Sequence, residues 1–407
     1  MRVLVSGASI AGPVLAYWLT RRGFEVTVVE RSPALRKAGG HAVDLFQPAM
    51  EISAKMGVLP GIEARATGND RLTLYREGHF RPTELDLTKI VSATSDRHVE
   101  IMRDDLSEIY YNAGRNDVEY VFGDSITAID IEGEVTFEHM PPRTFDVIVG
   151  ADGLHSNVRQ LTFGEEAELI RFLGGYLAVI SVPKALAEDS EMVGHIGVGR
   201  VVVTYTAAHL DDARVVFLFR SHDELDYDLQ DGLRQKALLR ERFAGMHPQV
   251  DRWLGEIDDT PAFYFDAISQ LRLDRWSRRR VTLVGDAGYC PGPAVGGGGT
   301  SLAVVGAYVL AGELARAGGD HLAAFAAYEL AMREPVHLSR SFARSAARTI
   351  IPGSRIGVWA LTRGARLASG MPTPLARVMA KTKGVRLHDS MRVPAYDDDL
   401  TATPREE

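Results

Sequence analysis

Cysteine, positive charge and long apolar runs are all scarce in this 407-residue sequence. The single cysteine, Cys290, excludes an intrachain disulfide and any metal site built from several cysteines. No apolar run of about 18 residues occurs, so the sequence predicts no membrane-spanning helix. Met1 and Arg2 lead directly into a strand-like run, which predicts that there is no signal peptide. The simplest prediction is a protein of the cytoplasm with no metal site.

The charge balance narrows the classes of partner. Lysine and arginine number 46 against 54 acidic residues, which gives a formal net charge of −8. That balance predicts no electrostatic footprint for nucleic acid and no general attraction to anionic lipid. A composition that is 45% hydrophobic and 25% charged is typical of a globular protein, and the length allows two or three domains. We therefore expect a soluble globular protein without a nucleic-acid partner. Its expected oligomeric state is a monomer or a homodimer.

The run GASIAG begins at Gly7, directly after the apolar run RVLVS. Residues 2–30 predict a strand, a helix and a second strand that ends at Glu30. In a G-x-G-x-x-G turn, Gly7 and Gly12 would fill the first and third positions, and Ser9 the second. The helix that follows would direct free N–H groups at a phosphate, and Glu30 could accept hydrogen bonds from ribose hydroxyls. This pattern favours FAD or NAD over NADP.

The run GASIAG has two other interpretations, a nucleophile elbow and a purely structural turn. A nucleophile elbow is G-x-S-x-G, but Ala11 stands where that motif has its second glycine. The elbow also follows several strands, whereas this turn follows the first one, and nothing identifies a paired histidine and aspartate. A purely structural turn stays open on these residues alone.

Two further motifs follow apolar, strand-like runs. VIVGADGLHSNVR at residues 147–159 contains Asp152 and Arg159, and VTLVGDAGYCPGPAVGGGGTSLA at residues 281–303 contains Asp286. An aspartate at a strand end can accept hydrogen bonds from ribityl hydroxyls, and the glycine run lets backbone N–H groups approach a ligand closely. Thr300 or Ser301 is the predicted N-cap of the following helix. The loop lacks the lysine of a Walker A motif, so it does not predict a nucleoside triphosphate site.

Together these three motifs resemble the class A FAD-dependent monooxygenases, the para-hydroxybenzoate hydroxylase-like family that includes tetracycline- and polyketide-type monooxygenases. The resemblance spans about residues 1–345. The fold it implies is α/β: a Rossmann-like FAD-binding domain with a mixed sheet, an antiparallel β-sheet substrate domain and a C-terminal helical tail. The predicted parts are a discontinuous FAD-binding domain (1–75, 98–168 and 275–345), a substrate-binding sheet domain (76–97 and 169–274), C-terminal helices (346–395) and a flexible tail (396–407). The arginines of the C-terminal helices, Arg355, Arg363, Arg366 and Arg377, are interpreted as a solvated face, with contact to a membrane surface as the alternative.

The resemblance also implies a set of cofactor-binding residues. These are Gly7, Ser9, Ile10, Ala11, Gly12, Glu30, Arg31, Arg103, Asp152, Gly153, Arg159, Asp286, Pro293, Gly296, Gly297, Gly298, Gly299 and Thr300. The sequence departs from the family pattern at Ser9, at Tyr289 in place of a histidine, and at Thr300 in place of an asparagine.

The activity implied is hydroxylation of an aromatic, phenolic or polyketide-like molecule with O2 and NADPH or NADH, through a flavin C4a-hydroperoxide. The flavin carries this chemistry, so no catalytic side chain is assigned. Our hypothesis is that His41 and Arg220 border the substrate cavity.

Three rival functions were considered. A flavin-dependent halogenase would carry W-x-W-x-I-P, and the four tryptophans never fall in that spacing. An FAD-dependent oxidase, dehydrogenase or reductase on the same scaffold stays open. So does a non-catalytic flavoprotein that only binds a ligand.

Overall fold

The computed structural model describes residues 1–35, 40–92, 97–225, 231–292, 298–370, 391 and 393–396. Within these ranges, none of the helices combines the length and the apolar character needed to cross a membrane. The strands are β1 (Arg2–Ser6), β2 (Glu25–Glu30), β3 (Ala42–Phe46), β4 (Arg71–Arg76), β5 (Thr83–Asp86), β6 (His98–Met102), β7 (Glu119–Phe122), β8 (Ile126–Ile129), β9 (Glu134–Phe137), β10 (Arg143–Thr144), β11 (Val147–Gly150), β12 (Ile170–Pro183), β13 (Glu191–Gly197), β14 (Arg200–Tyr205), β15 (Asp212–Arg220), β16 (Phe263–Leu271), β17 (Ser277–Arg278) and β18 (Val281–Leu283). The α-helices are α1 (Ala11–Arg21), α2 (Gln47–Lys55), α3 (Leu59–Ala64), α4 (Leu87–Ser92), α5 (Arg103–Gly114), α6 (Asn157–Phe163), α7 (Glu166–Leu169), α8 (Gly232–Phe243), α9 (Pro248–Gly255), α10 (Asp286–Tyr289), α11 (Gly299–Arg316), α12 (His321–Ile350) and α13 (Arg355–Ser369).

A six-stranded sheet brings the three sequence motifs to one place. Its strand order is β17-β18-β11-β1-β2-β7, and all neighbours are parallel except β17 with β18. Ser6, Gly150 and Leu283 pair in register at the carboxyl ends of β1, β11 and β18. Each motif turn begins within three residues of one of these positions. The predicted Rossmann-like domain with a mixed sheet is confirmed, and its ligand edge is where such sheets bind ligands.

A seven-stranded sheet forms the second layer, in the order β16-β12-β15-β14-β13-β4-β5. Its neighbours are antiparallel except β13 and β4, so the predicted antiparallel sheet is confirmed with one parallel pair. One face packs against α8 and α9 around the fully buried Trp253. Strand β4 (Arg71–Arg76) belongs to this sheet. The domain boundary predicted between residues 75 and 76 therefore falls within this strand, just before its last residue.

Helices complete the C-terminal part. Helix α12 runs for 30 residues and passes through the predicted boundary at residue 345 without interruption. Helix α13 packs against β5, β13 and α4. Tyr396, predicted to begin a flexible tail, is instead buried, and its hydroxyl donates to Glu313 Oε1 over 2.9 Å. Residues 397–407 of the predicted tail lie outside the described residues.

Candidate cofactor site and active-site cleft

The turn after β1 requires glycine at two positions. Gly7 has a φ of 107°, and a Cβ atom there would lie 2.6 Å from the carbonyl oxygen of Ala151. A Cβ atom on Gly12 would lie 1.9 Å from the carbonyl oxygen of Gly7. Both distances are far below van der Waals contact, so the turn cannot form around a larger residue at either position.

Ser9 stands at the position that tolerates a side chain. Its backbone is not in the left-handed region, and its hydroxyl accepts a hydrogen bond from Arg103 Nη2 over 3.2 Å. The departure from the three-glycine pattern therefore leaves the turn intact and ties it to α5.

The start of α1 offers backbone groups rather than side chains. Ile10 is the N-cap without a side-chain cap, and Ile10 and Ala11 are both buried. The first N–H groups of a helix have no intrahelical partner, and Pro13 has no N–H at all. An anionic ligand would therefore meet the N–H groups and the positive end of the α1 dipole at this turn.

Glu30 lies at the other side of the same turn. Its Oε2 accepts from the N–H of Ala8 and its Oε1 from the N–H of Ser32, each over 2.9 Å. The side chain is partly accessible, and the neighbouring Arg31 is exposed. The carboxylate is thus held in a fixed orientation beside the turn, with lone pairs left over for ligand hydroxyls.

The second motif mainly orders its own loop. Asp152 accepts hydrogen bonds from the Ser156 hydroxyl and from the N–H of Val158, and burial raises the pKa of its carboxyl. Gly153 has a φ of 84° and open space beside it, so glycine is needed here for conformation alone.

Arg159 corrects a prediction made from the sequence. Its side chain has no exposed surface, and its guanidinium donates to the carbonyl oxygens of Leu154 and Ala287 and to Glu166 Oε2. A side chain without accessible surface cannot reach a cofactor from this position. Arg159 instead positions the turn that carries Asp286, because Ala287 is the next residue.

Asp286 begins the short helix α10, and its side chain is exposed. We call the space beside it the cleft; Ser9, Arg103, His41 and Gly299 border this space. The protein around the cleft desolvates its carboxyl and raises its pKa, whereas the nearby Arg103 charge and a hydrogen bond with Cys290 lower it. A Cβ atom on Gly299, the first residue of α11, would lie 3.9 Å from Asp286 Oδ1. The carboxylate therefore faces the N-terminus of an 18-residue helix across the cleft.

The N-cap predicted for this helix is wrong. The cap is Gly298, with a φ of 69° and no side-chain hydrogen bond. Ser301 instead accepts from the N–H of Phe46 over 3.0 Å and so fixes the end of β3 to α11, while Thr300 lies in the first turn. The predicted cofactor residues Pro293, Gly296 and Gly297 lie outside the described residues.

Tyr289 explains a second departure from the family pattern. It is fully buried, and its hydroxyl lies 3.2 Å from that of Tyr328. A Cβ atom on Gly306 of α11 would lie 1.9 Å from this hydroxyl. Tyr289 therefore packs in the core between helices and does not point into the cleft.

Arg103 connects the parts of the site. It is the first residue of α5, its N–H donates to the carbonyl oxygen of His41 over 3.1 Å, and its guanidinium binds Ser9. Burial raises the pKa values of Asp286 and Tyr264, and the charge of Arg103 partly opposes this rise in both groups. Desolvation, followed by the Arg103 charge, lowers the pKa of His41 to about 4, so His41 is neutral at pH 7.

The seven-stranded sheet holds the loop that carries His41. Tyr205 and Arg214 are cross-strand partners on one face of the sheet. The Tyr205 hydroxyl accepts from the N–H of Ala42 over 2.7 Å, and Arg214 Nε donates to the carbonyl oxygen of Gly40 over 3.2 Å. The structure thus places His41 between this sheet and Arg103.

Arg220 has a different task from the one predicted. Its Nε donates to the carbonyl oxygen of Ile351 and its Nη2 to that of Arg348. These carbonyls lie at and just beyond the end of α12, where helix carbonyls lack partners. Arg220 therefore holds the end of α12, and its described side-chain hydrogen bonds go to this helix end and not to the substrate cavity.

A row of polar groups that no sequence motif reveals begins at Tyr264, which lies within the influence of the Arg103 charge. The Tyr264 hydroxyl donates to Asp266 Oδ2 over 3.0 Å, and His155 Nε2 lies 3.1 Å from the same oxygen. His155 Nδ1 lies 2.7 Å from Glu166 Oε1. Alternation in β16 puts Tyr264 and Asp266 on one face, but no sequence spacing brings His155 to them.

The row places one cation between two carboxylates, and the Arg159 guanidinium adds a second cation at Glu166 Oε2. The hydrogen bonds that His155 donates to Asp266 and Glu166 raise its pKa to about 9, so it is a cation between two carboxylates. Burial raises the pKa of Tyr264 far above its ordinary value, so its hydroxyl keeps its proton. Because that proton is directed at Asp266, the oxygen of Tyr264 is left to accept hydrogen bonds from the cleft.

The raised pKa of His155 predicts a loss of stability at alkaline pH. Folding raises this pKa from 6.5 to about 9, so the contribution to the free energy of unfolding is complete below pH 6.5 and disappears as the pH rises through about 9. We expect His155→Gln to lower the Tm at about pH 6 and to change it little at about pH 10. Thermal denaturation of both proteins across this range checks the prediction, and equal losses at both ends would contradict it.

No group of three or more histidine, cysteine or acidic side chains in the described part of the chain could hold a metal ion.

Comparisons with known proteins agree with this geometry. Residues 1–321 match a family model described as an FAD binding domain. A flavin-dependent monooxygenase of Legionella longbeachae serogroup 1 (strain NSW150) is 34% identical over 350 residues, covering 84% of this chain and 87% of that protein. An uncharacterized protein of Mycobacterium tuberculosis (strain ATCC 25618 / H37Rv) is 43% identical over 337 residues, covering 80% of this chain and 88% of that protein.

A solved structure extends the similarity to nearly the whole chain. The crystal structure of tetracycline destructase Tet(55) superposes with a TM-score of 0.82 at 31% identity, covering 97% of this chain and 98% of that one.

Proposed function

Because the chain belongs to the class A FAD-dependent monooxygenases, we propose that it uses NADPH or NADH and O2 to hydroxylate an aromatic, phenolic or polyketide-like small molecule. One observation carries this proposal. Three motif turns meet at one sheet edge, and the cleft beside them is walled by a second sheet with polar side chains. The first part is a cofactor site, and the second offers a substrate the contacts it needs.

The described residues fit FAD. We propose that the Gly7–Gly12 turn and the start of α1 hold the diphosphate, and that Glu30 accepts from the ribose of the ADP half. Arg103 would supply positive charge beside the diphosphate and ribityl chain. Asp286 would accept from ribityl hydroxyls, and the N-terminus of α11 would face electron-rich atoms of the flavin ring. Support comes from the backbone groups at the turn, from the accessibility of Asp286 and from the tether between Arg103 and Ser9.

FAD, when bound, supplies the oxygen-transfer chemistry, which we propose passes through a C4a-hydroperoxide after reduction by NAD(P)H. The chain's own task is to orient the substrate and exclude water. Tyr264, on the face of the sheet that also carries Tyr205 and Arg214, would offer an acceptor oxygen to the substrate. Because His41 is neutral, it adds a polar group without a positive charge that would withdraw electron density from the substrate.

Tyr264 gives a testable proposal about substrate binding. Because its proton is engaged by Asp266, it would accept a hydrogen bond from a substrate hydroxyl and increase the electron density of the attached ring. We expect Tyr264→Phe to raise KM or lower kcat by about tenfold in total, the size of one lost hydrogen bond, with FAD content unchanged. Steady-state NAD(P)H consumption measures this. Tyr176→Phe removes a hydroxyl from the opposite face of the same sheet and should leave these constants unchanged.

His41 and Arg220 now separate into two predictions. His41→Ala should weaken substrate-stimulated NAD(P)H oxidation while FAD stays bound, because His41 lies beside Arg103 and the sheet. Arg220→Ala should lower the Tm, because it leaves the carbonyls of Arg348 and Ile351 without their donor. Unchanged kinetics in His41→Ala would contradict a place for His41 at the substrate cavity. An unchanged Tm in Arg220→Ala would contradict the role of Arg220 in stabilising the end of α12.

The direct experiment supplies the FAD-loaded protein with NADPH or NADH and a panel of planar hydroxylated compounds. Tetracycline belongs in the panel because a similar solved structure is named a tetracycline destructase. Accelerated NAD(P)H consumption with one atom of 18O from 18O2 in the product supports the proposal. Consumption that yields only hydrogen peroxide across the panel would favour the oxidase alternative, and no consumption at all would favour a ligand-binding flavoprotein.

A further inference from the structure

The C-terminal part of the chain has a charge opposite to that of the whole. Residues 335–392 contain nine arginines and two lysines but one acidic residue, Asp389, within a chain whose net charge is −8. Helix α13 lies in this segment and carries Arg355, Arg363 and Arg366 without an acidic residue. These three arginines are exposed, so α13 presents a cationic surface on a protein of negative net charge, and the attraction to an anionic partner is local.

The same helix exposes large apolar side chains along one face. Ile356 is 78% exposed, Trp359 56% and Leu367 62%. Their spacing of three and eight residues, with Arg363 between them, keeps them on one side of the helix. Single exposed apolar residues are ordinary, but three on one helix face beside arginines form a defined surface.

The opposite face of α13 packs against the seven-stranded sheet. Val358, Leu361 and Ala365 pack against a cluster of the seven-stranded sheet that includes Leu74 and Val201. The exposed side chains are therefore not needed to hold the helix on the protein.

These features fit one kind of partner. Exposed Trp, Ile and Leu beside arginines are typical of helices that lie in the interface of an anionic bilayer. A nucleic acid would pair with the arginines but would leave Ile356 and Leu367 without apolar contacts. A symmetric dimer through this face would bring two basic surfaces together.

We propose that α13 docks the protein reversibly on the surface of an anionic lipid bilayer, with Ile356, Trp359 and Leu367 inserted at the headgroup level. The docking is independent of the proposed reaction. It would place the substrate-binding sheet, to which α13 is attached, beside the membrane.

Tryptophan fluorescence tests the proposal directly. Trp18, Trp253 and Trp276 are at most 6% exposed, so a change of environment at Trp359 dominates any shift caused by docking. With the FAD-loaded full chain, vesicles of phosphatidylcholine and phosphatidylglycerol should shift the emission to shorter wavelength and carry the protein in flotation. Pure phosphatidylcholine vesicles should bind at least tenfold more weakly, and salt should weaken binding to the anionic vesicles.

Variants identify the surface responsible. The double variant Ile356→Ser, Leu367→Ser should weaken vesicle binding by about tenfold or more, since two apolar side chains no longer insert. Leu233→Ser, at a residue 81% exposed on α8, is the matched control and should bind as the unchanged protein does. Trp359→Phe should abolish the emission shift and keep flotation.

Several results would overturn the proposal. The first is absence of flotation with the anionic vesicles. The second is vesicle binding by the double variant Ile356→Ser, Leu367→Ser that equals binding by the unchanged protein. The third is binding to double-stranded DNA as tight as to the vesicles, without an emission shift. A concentration-dependent dimer in sedimentation that shifts the Trp359 emission without vesicles would show that a second copy occupies this face instead.

Discussion

Gly12→Ala should yield a protein that purifies without flavin and does not take up FAD. The added Cβ atom would lie 1.9 Å from the carbonyl oxygen of Gly7, so the turn or the start of α1 must move. The turn follows the buried strand β1, and α1 packs against β2, α5 and α11, so forced expansion here costs about 1–3 kcal/mol or more. The movement would displace the N–H groups at the start of α1, which we assign to the diphosphate. Visible absorbance of the purified variant, before and after incubation with FAD, measures the loss.

Gly61→Ala is the matched control for this change. Gly61 lies in helix α3 and has open space where a Cβ atom would be placed. The control should bind FAD as the unchanged protein does and should melt at a similar or higher temperature. If Gly12→Ala retained FAD at full stoichiometry, the turn after β1 would not be the diphosphate site.

Asp286→Ala should weaken FAD binding by about 10- to 100-fold. The loss corresponds to about 1.5–3 kcal/mol, the usual size of a hydrogen bond made by a charged group. The carboxylate is accessible in the cleft, faces the first residue of α11 and lies within the influence of Arg103. Its removal leaves the turn after β1 untouched, so the protein should fold and bind the ADP half of the cofactor. Titration of the apoprotein with FAD, followed by flavin fluorescence, gives the dissociation constant.

Asp258→Ala provides the control for the loss of a carboxylate. Asp258 is exposed and binds Arg240 on the surface, with 2.6 Å between Oδ2 and Nη2. FAD affinity should be unchanged in this variant. Equal FAD affinity in Asp286→Ala and the unchanged protein would contradict our placement of the ribityl chain.

The position of the site could be predicted from the sequence because it depends on local rules. Three apolar runs that end in glycine and aspartate predict parallel strands, and the carboxyl ends of parallel strands share an edge. The register of Ser6, Gly150 and Leu283 agrees with this expectation. The requirement for glycine at residues 7 and 12 also follows from the turn itself, and the structure adds why Ser9 is accepted.

The side chains around the cleft could not be predicted, because their partners are distant in sequence. His155 meets Asp266 across 111 positions, and Arg220 meets Ile351 across 131. Such contacts depend on the pairing of β12 with β16 and on the path of α12, which no motif encodes. Arg159 was misassigned for a related reason: its place in a known motif is visible in the sequence, but the direction of its guanidinium is not.

The missed row of polar groups changes how the cleft is understood. Resemblance alone led to a site in which the flavin does all the chemistry and no side chain is assigned. The Tyr264 hydroxyl is held by Asp266 beside the His155 cation, and we propose that it serves as a fixed acceptor for the substrate. It explains how a cleft without a metal ligand cluster in its described residues could orient a phenolic or enolic hydroxyl.

The most direct test of the central claim is the visible absorbance spectrum of the purified chain after incubation with FAD and removal of free flavin. Our account predicts a flavin spectrum that stays with the protein at about one FAD per chain, because the turn, Arg103 and Asp286 form one site. A protein that stays colourless after this treatment would contradict the assignment of the cleft as an FAD site.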